Sequence, residues 1–138
     1  MEEIQYSKWI LGLANQIRRF YNASTGNNGA QARILYFVLE NYRDRDIYQK
    51  DIEEELNIRS AAISTNLKKL EEQKLIARKK VPCDDRLKKI CPTPAAIRMK
   101  DEVDRDIQLV EDKLTSGISK KDLDNFLKVT QKMTNNMT

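Results

Sequence analysis

Between residues 48 and 91 the chain sets down two short helical stretches joined by a tight turn, then a short pair of strands, and few folds accommodate that order. Residues 48–56 place Ile52 and Leu56 on one side at helical spacing. Asn57 follows, a residue that tolerates the left-handed backbone of a tight turn. Ser60 is a good N-cap for a second helix running to about Gln73. Its apolar positions Ile63, Leu67 and Leu70 are spaced four and three apart, a narrow inward stripe. The opposite face carries Ser60, Ala61, Ser64, Thr65, Lys68 and Lys69. Leu75–Val81 then reads as a strand, Pro82–Leu87 as a polar turn, and Lys88–Cys91 as a returning strand.

Helices flank this unit on both sides. Residues 3–21 carry an apolar stripe of Ile4, Trp9, Ile10, Leu13, Ile17, Phe20 and Tyr21. Asn22–Gly29, rich in glycine and turn-forming polar residues, is expected to break it. A helix over about 30–42 is apolar on all sides at Ile34–Leu39 and so is expected to be buried all round. Thr93-Pro94 supplies an N-cap with proline at the first helical position. The spacing predicts one long helix from there to about Leu114, with Ile97, Val103, Ile107, Val110 and Leu114 inward. Ser119, with Asp122 three residues on, opens a last helix with Leu123, Phe126, Leu127, Thr130 and Met133 on one face. The terminal helices carry more apolar surface than the small central unit can cover. They either pack back within the monomer or associate with a second copy, and association through both termini explains the surplus better.

Charge distribution narrows the partner. Residues 59–89 carry 10 basic and 4 acidic side chains, whereas residues 1–58 carry 7 and 9 and residues 90–138 carry 8 of each. The whole basic surplus therefore falls in the second helix of the pair and the strand pair. Solvated faces usually mix signs, so a localised surplus points to a polyanion, with nucleic acid ahead of membrane. No run approaches the ~20 apolar residues of a membrane span, and the acidic start at Met1–Ile4 is unlike a secretory signal, so a cytoplasmic protein is expected. There is no histidine, no glycine-rich phosphate loop and no nucleophile–base pair, which argues against an enzyme, a metal site or a bound cofactor. Cys83 and Cys91 read as two reduced thiols.

The same residues define a candidate interface. A helix that enters a major groove presents small and hydroxylated side chains, so that its backbone can lie close to base edges. Ser60, Ala61, Ser64 and Thr65 provide that face, and Lys68 and Lys69 lie where flanking phosphates would pass. Taken alone, this is also what an ordinary solvated amphipathic helix looks like. The hairpin tips the balance with Arg78, Lys79, Lys80, Arg86, Lys88 and Lys89 within twelve residues. A turn projecting Arg86 suits a narrow minor groove, where negative potential favours arginine. Asp84, two residues earlier, is spaced to buttress the guanidinium or the turn backbone.

Residues 47–93, from Ile47-Tyr-Gln-Lys-Asp-Ile52 through Ala61-Ala-Ile-Ser-Thr-Asn-Leu-Lys-Lys-Leu70 to Asp84-Asp-Arg86 and Thr93, resemble the DNA-binding core of the MarR family. The flanking helices follow that family's order, so the resemblance covers nearly the whole chain. It implies a mainly α fold with a small β-hairpin wing: a winged helix-turn-helix with N- and C-terminal dimerisation helices. It implies a single domain over 1–138, with the winged core at 43–93 and helical dimerisation and core segments at 1–42 and 94–138. Asp84 and Arg86 match the family's D-x-R wing motif, and Thr93 matches the threonine that opens the helix after the wing. By the same resemblance the 60–73 helix is the recognition helix. Tyr48 stands in place of the usual Thr or Ser cap, Lys74 and Ala96 where glycine is common, and Pro92 for a hydrophobic strand residue. None of these four is a groove-facing position.

The function implied is sequence-specific binding of a pseudo-palindromic double-stranded DNA operator by a homodimer, with repression relieved by a small-molecule effector. The expected DNA-contacting set is Ser60, Ala61, Ser64, Thr65, Lys68, Lys69, Lys80, Asp84, Arg86 and Lys88. An effector would lodge between the dimerisation helices and the winged core, where Tyr6, Trp9, Arg18, Tyr21 and Tyr36 are available, although aromatic core is their more common fate. Two alternatives stay open. One is a thiol-based redox sensor acting through Cys83, beside Lys80 and Arg86. The other is a winged-helix module that binds an acidic protein and no DNA. In a simple hairpin register Cys83 and Cys91 do not face each other, so a bridge within one wing is not expected.

Overall fold

The computed structural model describes residues 2–25 and 29–138. In chain order the elements are α1 (Tyr6–Thr25), α2 (Gly29–Asn41), α3 (Gln49–Leu56), α4 (Ser60–Glu72), β1 (Ile76–Val81), β2 (Asp84–Pro92), α5 (Pro94–Arg98), α6 (Lys100–Thr115) and α7 (Lys120–Asn136). The winged helix-turn-helix read from the sequence is what forms.

The all-round apolar sequence of α2 makes it the centre of the molecule. Ile34 and Val38 are fully buried, and Leu35, Phe37 and Leu39 nearly so. Around α2 pack α1, α3, α4, β2, α5 and α6. The expected inward stripe of α4 holds, with Ile63, Leu67 and Leu70 in the core beside Ile47, Ile52, Ile76 and Ile90. Burying each such aliphatic side chain contributes roughly 1.5–3 kcal/mol before chain entropy is set against it. Asn66 joins this face although it is polar; its amide donates to the Ala62 carbonyl at 2.8 Å, which meets the cost of burial.

Local chemistry explains the turns. Asn57 sits at φ 50°, ψ 47°, the left-handed cap between α3 and α4. Tyr48 makes no side-chain cap; the Asp51 carboxylate instead accepts from the Tyr48 N–H at 2.9 Å. Thr93 caps α5 through the Ala96 N–H, and its hydroxyl donates to the Lys74 carbonyl at 2.7 Å. Lys74 itself takes φ 60°, the conformation that favours glycine. Ser119 caps α7 through the Asp122 N–H at 3.1 Å.

Several expectations need correction. The segment expected to break α1 is helical as far as Thr25, where the Ser24 hydroxyl bonds back to the Phe20 carbonyl; positions 26–28 lie outside the described residues. The N-cap of α4 is Arg59, with extended backbone, and Ser60 is the first helical residue. The predicted long helix after the wing is two helices: Met99, at ψ 2°, separates α5 from α6 as it packs on the core. That break swings Ile97 outward, while Val103 and Val110 are buried as expected. Leu114 is also exposed, and Ile107 is half-buried.

The hairpin turn is tighter than predicted. Val81 pairs with Asp84, leaving only Pro82 and Cys83 in the turn, and β2 begins at Asp84 rather than at Lys88. The pairing jumps from Lys80–Lys88 to Val81–Asp84, so Asp85, Arg86 and Leu87 bulge from β2 without a partner on β1. Cys91 faces Ala77, not Cys83, in keeping with the simple register.

Candidate nucleic-acid interface

On α4, Ser60, Ala61, Ser64, Thr65, Lys68 and Lys69 are all exposed, opposite the buried stripe, so helical geometry gathers them on one outward face. The Thr65 hydroxyl donates to the Ala61 carbonyl at 3.0 Å, which leaves its oxygen free to accept. Ser60 is tied to α3: the Gln49 amide donates to its carbonyl at 3.3 Å and its hydroxyl at 3.4 Å. Gln49 is the first residue of α3, so this contact closes the elbow of the helix pair at the end where α4 starts.

The wing carries the cations, and the structure sorts them into neutralised and free. Lys89 reaches Asp46 at 3.1 Å, and that hydrogen bond holds its ammonium pKa above the usual lysine value. Arg78 pairs with Glu71 of α4 at 3.2 Å, and the hydrogen bond from Arg78 holds the Glu71 carboxyl below its ordinary range. Lys68, Lys69, Lys79, Lys80 and Lys88 have no carboxylate partner among the described residues. Cross-strand pairing sets Lys79 opposite Lys89 and Lys80 opposite Lys88. Like charges directly opposite each other destabilise a strand pair, and a polyanion removes that repulsion.

Arg86 stands out from the bulge of β2 with its side chain 93% exposed. The Asp84 carboxylate accepts from the Arg86 N–H at 2.9 Å and lies 3.5 Å from its Nε. Both roles expected of Asp84, bracing the backbone and bracing the guanidinium, are thus present in one oxygen. The arginine projects from the bulge rather than from the turn itself.

Arg59 was not among the residues expected from sequence to form this surface. It is exposed, holds the N-cap position of α4 and has no ion pair among the described residues. Assigning the cap to Ser60 hid it; the signal was a cation immediately before the hydroxyl-rich face. Among the described residues, no group of three His, Cys, Asp or Glu side chains converges as a metal site. No helix there is long and apolar enough to cross a membrane.

Away from this face, a cleft of about 490 Å³ lies between α1, the start of α2, α4 and α6, with Arg18, Tyr21, Arg33, Asn66 and Glu111 on its walls. Tyr36 lines a neighbouring cleft that shares Tyr21, Arg33 and Glu111. Burial pushes the Tyr21 phenol above its ordinary pKa. Tyr6 and Trp9 line neither cleft; both are exposed on the N-terminal half of α1.

Residues 25–87, from the end of α1 through Leu87 of the wing, match the model of the MarR family. Over that stretch the chain is similar to the MarR family. A curated relative, the uncharacterized HTH-type transcriptional regulator YdgJ of Bacillus subtilis (strain 168), is 29% identical over 86 residues. That match covers 62% of this chain and 51% of YdgJ, so the chain spans about half the length of the curated relative it matches. Among solved structures, the Staphylococcus aureus MepR–DNA complex aligns with a TM-score of 0.84 at 22% identity, covering 97% of this chain and 99% of MepR. PcaV of Streptomyces coelicolor, in complex with its natural ligand, aligns with a TM-score of 0.83 at 12% identity over the whole of both chains. At those identities the two structures speak for the MarR-type fold, terminal helices included.

Proposed function

We propose that this chain is a sequence-specific double-stranded DNA-binding transcriptional regulator that acts as a homodimer on a pseudo-palindromic operator. The observation that carries the reading is Arg86, fully projected from the wing and braced by Asp84, on a chain whose net basic surplus falls in α4 and the wing. In this reading α4 enters the major groove. Ser60, Ala61, Ser64 and Thr65 meet base edges, and Lys68 and Lys69 meet flanking phosphates. Lys80 and Lys88 contact phosphates beside the wing, and Arg86 enters the minor groove.

The homodimer reading is supported by the terminal helices. α7 has no buried residue, and Phe126 and Leu127 are more than half exposed, as are Trp9 and Ile10 of α1. A two-fold dimer sets two recognition helices about one DNA turn (~34 Å) apart. Repression relieved by a small molecule is the regulatory part of the proposal, supported by the cleft between α1, α4 and α6 and by the complex of PcaV with its natural ligand.

Selection of bound sequences from a random duplex pool tests the reading directly: a two-fold symmetric site is the expected result. On that site Arg86→Ala is expected to weaken binding at least ten-fold with the circular dichroism melt unchanged. A protein that enriches no duplex, or an Arg86→Ala variant of unchanged affinity, would overturn it.

A further inference from the structure

The wing and α4 must reach adjacent grooves together, so the angle between them matters as much as the residues they carry. Among the described residues, one polar side-chain link joins α4 to the hairpin: Glu71 with Arg78. It is bidentate, with Nη2 to Oε1 at 3.2 Å and Nε to Oε2 at 3.4 Å. Other ties hold the hairpin elsewhere: Lys89 to Asp46, the Ile90 N–H to the Ile47 carbonyl, and Thr93 to Lys74 and Leu75. Those, with Ile76 and Ile90 packed into the core beside Leu67 and Leu70, fix its base to the α2–α3 connection, to the chain leaving α4 and to the inner face of α4. Farther out along β1, the Glu71–Arg78 fork is the polar brace on its tilt over α4.

Charge alone makes Glu71 a liability. It is a carboxylate, nearly half exposed, at the end of the element that carries Lys68 and Lys69 and close enough to feel Lys88. We propose that Glu71 is a positioning residue for DNA recognition: through Arg78 it sets the tilt of the wing, so that Arg86 and the α4 face engage one site together. This rests on the DNA-binding reading above. The leverage is substantial. A hairpin arm of roughly 15 Å, at ~3.3 Å per residue, turns a tilt of about 10° at its base into roughly 3 Å at its tip. A hydrogen bond from arginine does not survive such a displacement.

The test compares the full-length protein with Glu71→Gln, Arg78→Gln and the double variant. Each is titrated by fluorescence anisotropy against the selected duplex and a scrambled one, with melting followed by circular dichroism. Glu71→Gln is expected to weaken the selected duplex about five-fold, while the scrambled duplex binds equally or more tightly. The double variant is expected to lose little beyond Arg78→Gln, because the pair acts as one unit. Exchanging the charges, with Glu71→Arg and Arg78→Glu together, should recover part of the selectivity. If both duplexes bind Glu71→Gln equally well or better, the residue is only a negative charge and the proposal falls. If both weaken together with a lowered melting temperature, its role is ordinary stability, and the proposal falls again. A wild-type protein that binds no duplex would overturn the DNA reading first, an outcome distinct from these two.

Discussion

Among the described residues, two sit in the left-handed region without being glycine, and their costs differ. Lys74 at φ 60° carries a Cβ and a long side chain in a conformation that costs an ordinary L-residue roughly 1–2 kcal/mol. Asn57 at φ 50° tolerates the same region through its short polar side chain. Lys74→Gly is therefore expected to stabilise the protein by about 0.5–1 kcal/mol in urea denaturation, after glycine's extra unfolded-state entropy is counted. Asn57→Gly should change it little. Gly29 is constrained for the opposite reason: a Cβ there would lie 2.6 Å from the Tyr21 ring, where α1 and α2 approach closely. Gly29→Ala is expected to destabilise by about 1–3 kcal/mol in the same measurement. At this scale the sequence was most readable where chemistry is local. Asp84 bracing Arg86 and Thr93 opening α5 follow from spacings of two and three residues. Arg59 as a cap was not readable, because backbone dihedrals decide which residue holds that position.

Elements were legible where their hydrophobic period was unambiguous, as in α2 and α4, and less so where tertiary contacts overrode it. Nothing in the spacing of Val103 and Val110 distinguishes one helix from two. The break at Met99 arises where α5 packs against β2 while α6 packs along α2. The wing's bulge was hidden for a similar reason, since register depends on both strands at once. Glu71 gives this scale its pH signature. Its carboxyl titrates below the ordinary glutamate value because Arg78 holds the charged form. The stability it contributes is thus fully present above the ordinary value and disappears as pH falls through the lowered one. Comparing wild-type with Glu71→Gln from about pH 7 downward, the wild-type advantage in Tm is expected to shrink on the acid side. The opposed lysine pairs of the wing predict a converse effect. Adding a polyanion such as heparin should slow amide exchange in β1 and β2 as the repulsion is relieved.

For the molecule as a whole, α7 is the element that the monomer does not explain. It has an N-cap from Ser119 and a broad apolar face, yet it buries no residue. On the homodimer proposal, Phe126→Glu is expected to give a monomer by light scattering and to lower affinity for the two-fold site far more than for a half-site. The affinity itself should fall linearly in log K against log salt, with a slope near −0.9 per phosphate contacted. The order of elements and the surplus apolar surface were both visible in sequence, but how completely α7 stands clear of the rest emerged only from the fold. A seventeen-residue helix with no cover of its own is marginal in water. In the proposed homodimer its formation becomes a matter of mass action: diluting the protein ten-fold should lower its Tm and melt this helix first, making α7 a gauge of how many copies surround it.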